Sequence, residues 1–198
     1  MNFEAFAPGP SAHKARPRTH PSARFRAALS FIGLSLFAGA ASSAPESRVP
    51  WTSWAHTRPL SASAIGLIED ASERSRIVTG LLKDLEKADV VVYVSSSTPG
   101  VTTGPASYLT FISREAGVRY LMVRIDFFRL SPAERIAALG HELQHALEIA
   151  AAPEVRDAAS LAGLYRRIGR ESSAGHFESE EARDTGNRVR THLDRVSP

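Results

Sequence analysis

Two histidines four residues apart, His141 and His145, dominate the stretch Leu139-Gly140-His141-Glu142-Leu143-Gln144-His145-Ala146-Leu147-Glu148. In a helix, residues four apart nearly eclipse one another. Both imidazoles then point the same way, one turn apart, and can reach one metal ion. Glu142 is rotated off that line and can lean over a water in the metal's open position. A fold built on such a helix must bury one side of it and turn the other toward a cleft.

The flanking residues predict that helix. Ser131 can cap its start, Pro132 fits the first helical position, and Glu134 stands three residues after the cap. Ile136, Leu139, Leu143, Leu147 and Ala150 recur at helical spacing as a buried stripe, and Pro153 limits the far end. Within the motif, Leu143 and Gln144 carry no charge, nor do the adjoining Ala138, Leu139, Gly140, Ala146 and Leu147. The chain has no cysteine, so any metal must be held by His and carboxylates. The bland alternative is a pair of histidines on a partly solvated helix face.

Gly140-His141-Glu142-Leu143-Gln144-His145-Ala146-Leu147 resembles the active-site helix of the zincin metallopeptidases. The close resemblance covers this helix alone. It implies a zinc ion on His141, His145 and a third ligand, with Glu142 as general base for a zinc-activated water that hydrolyses a peptide bond. The extended pattern with a third downstream histidine is absent: Glu148 stands where its glycine would be and Ala151 where that histidine would be. The resemblance is therefore to a branch with a downstream glutamate.

The chain has 198 residues, 43% hydrophobic and 23% charged, enough for one ordinary globular domain. An isoelectric point of about 9.6 suggests nucleic-acid binding, but the charge is unevenly placed. Residues 1–44 carry a net +4, with Lys14, Arg16, Arg18, Arg24 and Arg26 against Glu4, while the whole chain carries +3, leaving −1 for the rest. No nucleic-acid partner is expected of the folded part. The leader has the order of an export signal. A basic segment ends at Arg26, an uncharged run follows from Ala27 to Ala41, and small residues reach Ala44. That run is short for a membrane span of about 20 residues. Residues 1–44 thus read as a signal peptide or an uncleaved anchor. The expected product is periplasmic or secreted, touching membrane only if the leader is retained.

Residues 45–60, with Pro45, Pro50 and Pro59, read as a linker, and 61–198 as the domain. Ser61 or Ser63 caps a first helix running to about Ala88. Asp89 to Val94 is a buried strand, and Ser95 to Gly104 a polar loop that could edge the cleft. Ala106 to Arg114 and Val118 to Asp126 form a hairpin about Glu115-Ala116-Gly117. The expected fold is α+β: a small mixed or antiparallel three-stranded sheet with packed helices, the metal helix central. This order resembles the N-terminal half of a zincin domain, whose edge strand pairs with extended substrate.

Val155 to Ile168 predicts a further helix, ended by Gly169. Its Tyr165 is either core with a hydroxyl at the rim or a hydrogen-bond donor to a reaction intermediate. Arg170 to Phe177 reads as a loop, and a last helix starts at Glu178 or Ser179.

Where the third ligand lies is the open question. Glu148 is seven residues from His141, about 10.5 Å along a helix, too far for direct ligation, and is assigned to a supporting or surface pair. Asp157, Glu171 and His176 are possible ligands. The stripe Ala182, Gly186, Val189, Leu193, continued back four residues, lands on Glu178, with Glu181 at its edge and Glu180 facing away. Glu178 ranks first and Glu181 second. The alternative is that Glu178 merely complements a helix N-terminus. The functional expectation is an exported zinc metallopeptidase acting on a peptide or protein substrate. The other reading is a non-enzymatic metal-binding or interaction domain on a zincin scaffold.

Overall fold

The computed structural model describes residues 54–97, 104–171 and 177–196. The leader expected at 1–44, most of the linker, part of the polar loop before Gly104, and His176 lie outside them. No helix among the described residues is long and apolar enough to cross a membrane.

The protein is mixed α+β, with five helices and a four-stranded mixed sheet among the described residues. Strand β1 (Thr57–Pro59) leads into helices α1 (Ala62–Arg74) and α2 (Arg76–Leu85), then strand β2 (Val90–Ser96), parallel to β1. Strands β3 (Ser107–Glu115) and β4 (Val118–Ile125) form a hairpin. Ala116 (φ 49°) and Gly117 (φ 87°) both take the left-handed conformation that a tight, correctly twisted hairpin turn demands. β4 returns between β2 and β3, so the order is β1-β2-β4-β3, with β3 on the outside. Helix α3 (Pro132–Ala150) follows, then α4 (Ala158–Ile168), a two-stranded ribbon of β5 (Gly169–Glu171) and β6 (Phe177–Ser179), and α5 (Glu180–Val196).

Alternation builds the core. Val90, Val92 and Val94 pair in register with Arg119, Leu121 and Val123, and all six are buried on the sheet's inner face. α1 and α3 pack on this face, and α2 and α5 pack on α3. Ile136, Leu139, Leu143 and Ile149 of α3 have no solvent exposure, and burying each such side chain contributes about 1.5–3 kcal/mol.

Three details differ from the expectation. The sheet has a fourth strand: β1 lies within the stretch read as linker and supplies the edge opposite β3. The helix expected from Ser61 to Ala88 is two helices, because Ser75 turns extended, ends α1, and caps α2 by accepting the Val78 amide. The stretch read as the loop Arg170 to Phe177 contains most of β5 and the start of β6, so Glu178 sits on a strand and not on the last helix.

Candidate metal centre

α3 is held at both ends. At its start, the Ser131 hydroxyl accepts the Glu134 amide, and the Glu134 carboxylate accepts the Ser131 amide at 2.9 Å, the reciprocal capping expected from the sequence. At its end, the buried Arg119 donates to the carbonyls of Ile149 (2.5 Å), Ala152 (2.8 Å) and Ala150 (3.1 Å), and pairs with Asp89. Ile149 and Ala150 close the helix and Ala152 follows it. The Ile149 and Ala152 carbonyls also accept the Ala152 and Val155 amides, so Arg119 reinforces this turn. The middle of the helix, with its two histidines, is fixed between these anchors.

His141, Glu142 and His145 present ligand atoms all within 4.8 Å of one another. The two imidazoles lie 4.7 Å apart, edge to face. Each ring is held from its far side. His145 Nδ1 lies 2.9 Å from the Glu148 carboxylate, which in turn accepts the Ser179 hydroxyl at 2.5 Å. The Tyr165 ring meets His145 edge to face at 5.0 Å. His141 hydrogen-bonds the Ala182 carbonyl of α5. That approach needs Gly186, where a Cβ would stand 3.3 Å from the His141 Cβ. Such outer partners fix the tautomer and aim of a metal-binding imidazole.

Glu178 reaches the same place from β6: its Oε1 lies 3.2 Å from His141 Nε2. Two ligands on a tetrahedral zinc with bonds of 2.0–2.1 Å stand roughly 3.3 Å apart. The donor set of imidazole nitrogen and carboxylate oxygen, without sulfur, also suits zinc. The donor types therefore suit such an ion, and Glu178 stands at ligand spacing from His141. The group whose ligand atoms all converge within 4.8 Å, however, is His141, Glu142 and His145 and does not include Glu178.

The other candidates lie elsewhere. Glu181 is exposed and pairs with Arg188 at 3.2 Å. Asp157 caps α4 by accepting the Ser160 amide. Glu171 is exposed on β5. The reason for preferring Glu178, its place on the stripe of the last helix, does not hold, because Glu178 precedes that helix. Its position is set instead by the pairing of β6 with β5.

Glu142 is 2% exposed, and Ser107 at the start of β3 donates a 2.7 Å hydrogen bond to its Oε1. Ser107 was not singled out from the sequence. Its only signal was its place in the alternation Ser107, Leu109, Phe111, which faces the helices. Burial pushes the Glu142 carboxyl above its ordinary range, opposed by His145 and Ser107, while Glu178 adds to the rise. Burial, then His145, pushes His141 down to about 4. His141 is therefore neutral near pH 7, the form a metal requires. Burial, with Glu148 and Glu142, raises Tyr165, which stays a protonated donor, its hydroxyl 3.5 Å from the His145 carbonyl.

No family model, curated protein or solved structure matches this chain.

Proposed function

We propose that this protein is an exported zinc metallopeptidase with a zincin-like domain, His141, His145 and Glu178 holding the metal and Glu142 serving as general base. One observation carries the reading: a carboxylate from a separate strand meets His141 Nε2 at 3.2 Å, one residue away from a buried glutamate.

Bound there, zinc would polarise a peptide carbonyl and make a water acidic near neutral pH. The chain supplies the rest. Glu142, with its carboxyl raised by burial, takes a proton from the attacking water and returns it to the leaving amine. Ser107 holds one carboxylate oxygen and leaves the other for that transfer. Glu148 and Ala182 keep the imidazoles aimed. Substrate is an extended peptide added to β3. That strand is outermost in the sheet, and its first residue touches Glu142. Export rests on the leader, and N-terminal sequencing of the secreted product should begin between about Ala40 and Glu46.

The test is hydrolysis of a peptide library by purified protein, before chelation, after chelation, and after zinc is restored. Activity lost and regained supports the reading. Zinc bound without hydrolysis would favour the non-enzymatic metal-binding domain.

A further inference from the structure

Gly169 stands where three parts of the centre meet. Its amide bonds to the Tyr165 carbonyl and closes α4, and it opens β5, which pairs with β6 through Gly169 and Ser179. Its backbone angles, φ −93° and ψ 162°, are open to any residue, so conformation does not select glycine. Space does. A Cβ there would lie 2.6 Å from the Tyr165 carbonyl oxygen and 3.2 and 3.3 Å from the backbone N and C of Glu178. All three neighbours are main chain, which cannot swing aside as a flexible side chain can. Tyr165 is pinned by its ring against His145. A methyl group at 169 therefore demands a shift at the end of α4, through the 2.6 Å contact, and a further few tenths of an ångström from the backbone of Glu178.

We propose that Gly169 is the positioning residue for the third ligand: by lacking a side chain it lets β6 approach closely enough for Glu178 to join His141 and His145 on one metal. The proposal rests on the metal-centre reading above.

The test compares full-length wild type with Gly169→Ala, Glu178→Ala, the double variant, and Gly163→Ala on the same helix, where a Cβ meets nothing within 4 Å. Zinc affinity is read by competition against a chromophoric chelator, coordination by the visible spectrum of the cobalt-loaded protein, and folding by melting of the metal-free form. Gly169→Ala should weaken zinc by about ten-fold or more and alter the cobalt bands while the metal-free form still melts cooperatively. Gly163→Ala should match wild type. In the Glu178→Ala background, Gly169→Ala should cause no further loss, since both act through one contact. Wild-type affinity in Gly169→Ala, full additivity with Glu178→Ala, or failure of metal-free Gly169→Ala to fold would each overturn the proposal. Unchanged affinity in Glu178→Ala itself would instead sink the underlying assignment of the third ligand, and this proposal with it.

Discussion

The Ser107 hydroxyl donates a 2.7 Å hydrogen bond to the Glu142 carboxylate, joining the first residue of the outer strand to the helix that carries both histidines. Burial disfavours the charge of Glu142, and this bond, after the neighbouring His145, opposes the rise in its pKa.

Ser107→Ala should therefore raise the Glu142 pKa further. A larger fraction of the base is then protonated at any pH below that value. The acid limb of the kcat/KM profile should move to higher pH, with the greatest loss of rate on the acid side and recovery as pH rises. A profile of unchanged shape would show that Ser107 does not govern the base.

Ligation and chemistry separate by substitution. His141→Ala and His145→Ala should lose zinc to chelators, because two remaining protein ligands hold it poorly. Glu142→Gln should retain zinc and lose hydrolysis by about 10²–10⁴-fold, the usual share of a general base. Normal activity in Glu142→Gln, measured on zinc-loaded protein, would exclude Glu142 from that role.

Metal-free stability should depend on pH through His141. Its folded pKa, about 4, lies below the ordinary 6.5, so between these values the unfolded chain binds a proton that the folded chain refuses. The associated stability is complete above about pH 6.5 and is lost as pH falls toward 4, on the order of 3 kcal/mol in all. Glu142, raised, works in the opposite sense, its stability lost as pH rises. Because His141→Asn keeps Glu142, urea unfolding of wild type and variant at pH 7 and pH 4.5 isolates the histidine. Wild type should lose more on acidification than the variant does.

Arg119 joins the sheet to the last turn of α3. Its side chain is 2% exposed, and Asp89 is half exposed. Arg119→Ala removes three charge-assisted bonds to the Ile149, Ala150 and Ala152 carbonyls, the first and last of which keep a backbone amide partner, and should cost about 1.5–3 kcal/mol. Asp89→Asn leaves those three bonds intact and should cost about 1 kcal/mol. Equal effects in denaturant titrations would contradict this division.

The histidine helix α3 was legible because its signals are local: Ser131, Pro132 and Glu134 mark its start within four residues, and the histidine spacing needs only helical geometry. The break at Ser75 was not, since Ile68, Ala71, Ser75, Val78 and Leu82 keep helical spacing across it. Three-residue strands such as β1 and β6 show no alternation to read. Glu178 was preferred through an argument about α5, whereas strand pairing is what brings it beside His141. Ser107 meets Glu142 only because the β3–β4 register sets it opposite Ile125, a long-range fact that no local pattern carries.

The most direct measurement is X-ray absorption at the zinc edge of full-length protein loaded with one equivalent of zinc, for wild type and Glu178→Ala. The account predicts two imidazole nitrogens and carboxylate oxygen at roughly 2.0–2.1 Å in wild type, with the carboxylate contribution missing from the variant. A wild-type spectrum without imidazole scattering, or identical spectra from the two proteins, would contradict it.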